Sequence, residues 1–134
     1  MSKRRQLRYL NLALKESLKS PFRRVKIGAV LVDGNYIVAS GFNIDTSHPR
    51  QAKYNNKVGR ISPNHRGHAE IMALVRSKDY DLTGCEIFVG RYDRLGRLAE
   101  CRPCHACAAA LQEAGITKVT FTSPRGIIEE YIER

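Results

Sequence analysis

The chain has 134 residues, 43% of them hydrophobic and 27% charged, with a formal net charge of +10 and four cysteines. That is the size of one domain, 1–134, able to bury a core without disulfides or a structural metal. No run is apolar enough to span a bilayer, no signal-peptide core follows Lys3, Arg4 and Arg5, and the cysteines are too few and clustered for a secreted scaffold; a cytoplasmic protein without a membrane partner is expected.

The charge is uneven. Residues 1–66 hold 14 Lys/Arg against three acids, and residues 67–134 hold nine against ten. All of the excess therefore precedes residue 67, which fits a polyanionic partner or a solvated basic face.

In chain order, Leu7, Leu10, Ala13, Leu14 and Leu18 lie at helical spacing and Ser20-Pro21 closes that segment, so a core-facing helix is expected. Ile27 to Val32 and Tyr36 to Phe42 are β-branched runs around Asp33-Gly34-Asn35, the signature of a hairpin. Residues 43–66 lack periodicity and carry Pro49, Gly59 and Pro63, which reads as a long loop. Helical pattern resumes from Gly67 to about Ser77. Cys85 to Tyr92 reads as a buried strand, and Arg91 to Ala99 as a turn built on Asp93 and Gly96. Ala106 to Ala114 is a helix ended by Gly115. Lys118 to Thr122 is a short strand, and Ile127 to Ile132 is expected as a terminal helix. Alternating strands and helices imply an α/β fold, a helix/sheet/helix sandwich with a mixed sheet.

Two short motifs carry the chemistry. His68-Ala69-Glu70 and Pro103-Cys104-His105-Ala106-Cys107 both fall at expected helix N-termini, where free amides and the macrodipole favour thiolates. A spacing of three puts the sulfurs of Cys104 and Cys107 on one helical face, and His68 completes a zinc-ligand trio with a fourth position open to water. Glu70 is then a general acid/base within reach of that water. CxxC alone also fits a redox pair. Cys101-x-x-Cys104-x-x-Cys107 with His68 would make a closed structural site, which has no use for Glu70. His105 is expected to point away from the metal, and Cys85 to be a buried small hydrophobe.

With these motifs the chain resembles the zinc-dependent cytidine/deoxycytidylate deaminase superfamily, whose signature joins H-x-E to P-C-x-x-C. The resemblance runs from about Val25 to Ser123. Its carriers are Gly28-Ala29-Val30-Leu31-Val32, Ser40-Gly41-Phe42-Asn43, His68 to Leu74, Pro103 to Cys107 and Gly115-Ile116-Thr117-Lys118-Val119. It implies Zn2+ held by His68, Cys104 and Cys107, Glu70 as proton shuttle, Asn43 at the substrate sugar or base, and the Ala69 amide toward the base. It also implies a homo-oligomer.

His-Ala-Glu-Ile-Met-Ala-Leu is similar to bacterial tRNA adenosine deaminases, whereas Thr46-Ser47-His48-Pro49 is closer to deoxycytidylate and small phage-type deaminases. The basic half places cytosine in single-stranded nucleic acid, DNA above RNA, first among the expected substrates. In that reading Arg50, Lys53, Lys57 and Arg60 contact phosphate and Tyr54 stacks a base. Free deoxycytidylate, tRNA adenosine and a non-catalytic zinc-binding nucleic-acid module are the alternatives.

Overall fold

The central strands are buried almost end to end, and their side chains alternate between two covered faces, which determines how the layers assemble. In the computed structural model, which describes residues 3–61 and 64–132, β1 (Ile27–Asp33) and β2 (Tyr36–Phe42) form the expected hairpin. β3 (Glu86–Arg91) pairs antiparallel with β1 and parallel with β4 (Lys118–Ser123), which pairs antiparallel with β5 (Gly126–Tyr131). The sheet is mixed and its order is β2-β1-β3-β4-β5. Successive side chains point to opposite faces. Ala29, Leu31, Ile87, Val89, Val119 and Phe121 share one core, while Val30, Val32 and Phe88 share the other.

The smaller core is covered by α1 (Lys3–Ser17). Its buried face is Tyr9, Leu10, Ala13, Leu14 and Ser17, and the Tyr9 ring meets Phe88 at 5.2 Å. The leucine stripe is thus only half right: Leu7 is 42% and Leu18 65% exposed. Leu18 lies past the helix end, and the face that meets the sheet is turned toward Tyr9, away from Leu7. The helix also comes very close. A Cβ on Gly28 would stand 1.9 Å from the Ala13 carbonyl oxygen.

The larger core is covered by α2 (Pro49–Lys57), α3 (Ala69–Arg76) and α4 (His105–Ala114). Helix α2 lies inside the stretch expected as a loop. His48 caps it, its Nδ1 accepting the Arg50 N–H at 3.1 Å, and Pro49 takes the first turn. Its buried face is Gln51, Tyr54 and Asn55, an i, i+3, i+4 set with little hydrophobic signal.

The expected terminal helix is also corrected. Residues 126–131 form the edge strand β5, with Phe121 opposite Ile128 and Ser123 opposite Gly126. Ser123 Oγ accepts the Arg125 N–H and donates to the Gly126 carbonyl, and Gly126 adopts φ +114°, which closes a tight hairpin. Ile127 and Ile128 then divide between the two cores. Among the described residues, no helix is long and apolar enough to cross a membrane.

Candidate zinc centre and active-site cavity

Helices α3 and α4 lie on the same face of the sheet and present their N-termini to a common point. His68 is the N-cap of α3 and Cys104 the N-cap of α4, both in extended backbone, and neither side chain caps its own helix. Both are therefore available to a ligand. Cys107 follows in the first turn of α4. His68 Nδ1 stands 3.4 Å from Cys104 Sγ and 3.3 Å from Cys107 Sγ. The candidate ligand atoms all lie within 4.8 Å of one another.

Zinc–sulfur and zinc–nitrogen bonds at a tetrahedral angle set an N···S edge of about 3.6 Å. The observed spacing is close to that edge, and two thiols with an imidazole are a donor set suited to Zn2+. The trio therefore fits the metal in chemistry and in size.

The electrostatics of the protein alone prepare one of the three, Cys104, in its ligating form. The Cys107 thiol and the His68 ring stabilise the Cys104 thiolate and hold its pKa near the bottom of the scale, at about 3. Cys107 is pushed well up by that same bond and by burial. His68 is raised, first by its bond to Cys104. Glu70, buried in the first turn of α3, is raised to about 7, chiefly by burial.

Cys101 does not join the cluster. Its Sγ faces the Val89 carbonyl at 3.3 Å and Thr122 Oγ1 at 3.2 Å, and burial pushes its thiol to about 12. The closed four-ligand reading needs that sulfur at the metal, and the structure turns it into the sheet instead. His105 is exposed and Cys85 buried, as their neighbours in sequence suggest.

The ligand atoms open into a cavity of about 490 Å³. His68, Glu70 and Cys104 line one part of it, with Asn43, Phe22 and Ile44 beside them. The Asn43 carboxamide accepts the Ile27 N–H at 2.9 Å and donates to the Val25 carbonyl at 2.7 Å, which holds the strand end against the cavity wall. One of its amide protons remains uncommitted by these bonds. Ala69 is fully buried at the first position of α3.

The other expected contacts fall elsewhere. Arg50 and Tyr54 line a different groove, with Leu74 and Glu113, and Lys53 stands 3.8 Å and Lys57 3.0 Å from Glu113. The reason is α2: as a helix, residues 49–57 turn these side chains toward α4. Of the four cations named for phosphate contact, the cavity keeps Arg60. Arg66, Arg91 and Arg102 line it as well. Arg66 lies over the Phe22 ring at 5.7 Å, and Arg102 pairs with Glu130. Composition signals these arginines only as part of an overall basic excess, since their convergence depends on the tertiary fold.

Residues 3–123 match the model of the cytidine and deoxycytidylate deaminase zinc-binding region. The chain belongs to this family. Human deoxycytidylate deaminase is similar at 27% identity over 124 residues, covering 87% of this chain. The chain spans 64% of the length of that relative. Among solved structures, the dCMP deaminase of cyanophage S-TIM5 in complex with dCMP and dUMP superposes with a TM-score of 0.65 at 26% identity, over 90% of this chain and 82% of that one. A cytidine deaminase from Burkholderia pseudomallei shares the fold at TM-score 0.67 and 20% identity, over 98% and 94% of the two chains.

Proposed function

We propose that this chain is a zinc-dependent hydrolytic deaminase acting on deoxycytidylate, converting its cytosine to uracil with release of ammonia. The observation that carries the reading is one cavity that joins the His68–Cys104–Cys107 trio and Glu70 to Arg60 and Arg66. A volume of about 490 Å³ lies in the range of small-ligand sites and is suited to one nucleotide. The arginines supply charge for a phosphate, and the buried end supplies the chemistry.

Zinc held by the trio supplies the Lewis acidity that activates water at neutral pH. The chain's own residues do the rest. Glu70 is buried beside His68 and its raised pKa places its proton exchange near neutrality, the condition for an efficient proton shuttle. It takes one proton from the attacking water and delivers it to ring N3, then takes the second proton from the added oxygen and delivers it to the leaving amine. Asn43 positions the sugar with its uncommitted amide proton, and the Ala69 N–H faces the base. The arginines of the cavity favour a phosphorylated nucleoside over an uncharged one.

Relatives named for deoxycytidylate and the placement of Arg50, Lys53 and Tyr54 outside the cavity favour the free nucleotide over a cytosine within DNA. Zinc-loaded protein incubated with deoxycytidylate, cytidine, a cytosine-containing single strand and an adenosine hairpin tests the reading. Deoxycytidylate is expected to turn over fastest. Faster turnover of cytidine, of the single strand or of the hairpin would reject it.

A further inference from the structure

The active-site cavity is continuous with a second, shallower groove that the deamination of a mononucleotide does not use. The two share Val25 and Arg91 as lining residues. From Arg91 the groove continues past Arg24, Arg94 and Arg97, and a further depression shares Arg24 and Arg94 and adds Arg23, Lys26 and Tyr92. Among the described residues that line this groove and depression, Asp93 is the one acid. Asp93 is already committed: it pairs with Arg97 at 2.9 Å and accepts the Leu95 and Arg97 N–H groups. Among the described residues, Arg24 and Arg94 have no acidic partner, and the buried Arg91 Nε has no hydrogen-bond acceptor.

Like charges placed side by side on an exposed surface repel one another, so this arrangement is stabilised by a ligand that brings several negative charges in a row. Spacing and continuity decide the kind of ligand. A lone phosphate engages one or two of these arginines, whereas the line of cations leads from the cavity mouth onto the outer surface. Aromatic faces accompany it: Phe22 stands at the cavity and Tyr92, 39% exposed, at the far end. A cationic track flanked by aromatic side chains is how proteins hold single strands without reading their sequence.

We propose that the Arg24–Arg94 groove binds the phosphodiester backbone of single-stranded nucleic acid, carrying the strand past Arg91 to the mouth of the zinc cavity. Contact with three or four phosphates gives log K a slope of about −2 to −3 against log salt.

The test uses the zinc-loaded full chain and short fluorescent oligothymidylate and oligouridylate, neither of which contains cytosine. Anisotropy titrations across a salt series are run for the natural protein and for the Arg24→Glu/Arg94→Glu double variant. Deoxycytidylate turnover, which uses neither residue, is measured in parallel to show that the variant is folded. Binding with the stated slope, weakened about tenfold or more in the variant while turnover is kept, is the expected result. The deoxy and ribo strands show which strand is held. No binding of either strand at low salt, a flat salt response, or equal affinity in the variant would overturn the proposal. Strand binding without deoxycytidylate turnover in the natural protein would reject the proposed function and leave the groove standing. Variant folding would then be followed by its unfolding midpoint.

Discussion

The backbone N–H of His68 donates to Oε1 of Gln51 at 3.0 Å, so a polar side chain with no exposed surface holds the start of α3. Gln51 in turn donates to Asn55 Oδ1 at 2.9 Å, and Asn55 Nδ2 donates to His65 Nδ1 at 3.0 Å. Because the amide must donate in that last contact, His65 carries its own proton on Nε2. Helix α2 thereby fixes both the metal-ligand end of α3 and the segment that leads into it. Gln51→Leu leaves the His68 N–H buried without an acceptor, which costs about 1–3 kcal/mol. Loss of an orienting partner also weakens metal binding about ten- to a hundredfold. Chemical unfolding and zinc competition against a chromophoric chelator measure the two effects. Unchanged zinc affinity would deny Gln51 its positioning role.

Gly41 sets how closely α3 can approach the sheet. A Cβ there would stand 2.4 Å from the Ala73 nitrogen and 2.7 Å from the Ala69 oxygen, both backbone atoms that cannot move aside alone. Gly41→Ala is expected to destabilise the protein by about 1–3 kcal/mol, the range for overpacking a core. Pushing α3 outward also separates His68 from α4, so zinc affinity falls with stability. Unfolding midpoints with zinc and with chelator test this: a variant as stable as the natural protein would mean that α3 relaxes without cost.

The contrast between α3 and α2 shows what was legible in the chain. His68 and Glu70 stand out because an apolar helical pattern follows them, and the trio of ligands is set by local spacing at two helix starts. Tyr54 and Gln51 give no such signal. Their helix buries polar side chains that are satisfied only by groups distant in sequence, so nothing local marks the face that turns inward. The edge strand β5 has no distinctive local pattern for a related reason. Ile127, Ile128, Tyr131 and Ile132 suit a helical stripe as well as an alternating one, and the choice is made by the hairpin at Gly126 and the vacant edge of β4. Arginines 60, 66, 91 and 102 come from separate segments and meet only in the folded cavity.

Thiol chemistry separates the ligands from the bystanders. Cys85 and Cys101 are 1% and 7% exposed, and burial raises both thiols, whereas Cys104 is held as a thiolate at the cavity. The nucleophile in alkylation is the thiolate. In the folded zinc-free protein, iodoacetamide at neutral pH is expected to modify Cys104 first and to spare Cys85 and Cys101 until the chain is unfolded. Zinc should protect Cys104 and Cys107. Mass mapping of the modified peptides reads the order, and rapid labelling of Cys101 in the folded protein would show that its place in the sheet is wrong.

Glu70, the proposed proton carrier, is buried at a cost in stability. Burial raises its pKa from 4.5 to about 7 in the folded zinc-free protein. Below 4.5 both folded and unfolded chains hold the proton and no penalty arises. Between 4.5 and 7 the unfolded chain ionises first, so the folded state binds more protons and stability falls as pH rises. Above 7 the whole penalty is present, about 3 kcal/mol for a shift of this size. Glu70→Gln removes it. The zinc-free variant should therefore gain stability over the natural protein on going from pH 5 to pH 8, by roughly 2–3 kcal/mol. In the zinc-loaded form the same change should lower deoxycytidylate turnover by about 10²–10⁴-fold, the contribution of a positioned proton carrier. Urea unfolding at the two pH values gives the first quantity and steady-state kinetics the second. A stability difference that does not change with pH would mean that Glu70 is solvated in the folded protein, and retained turnover would remove it from the proton path.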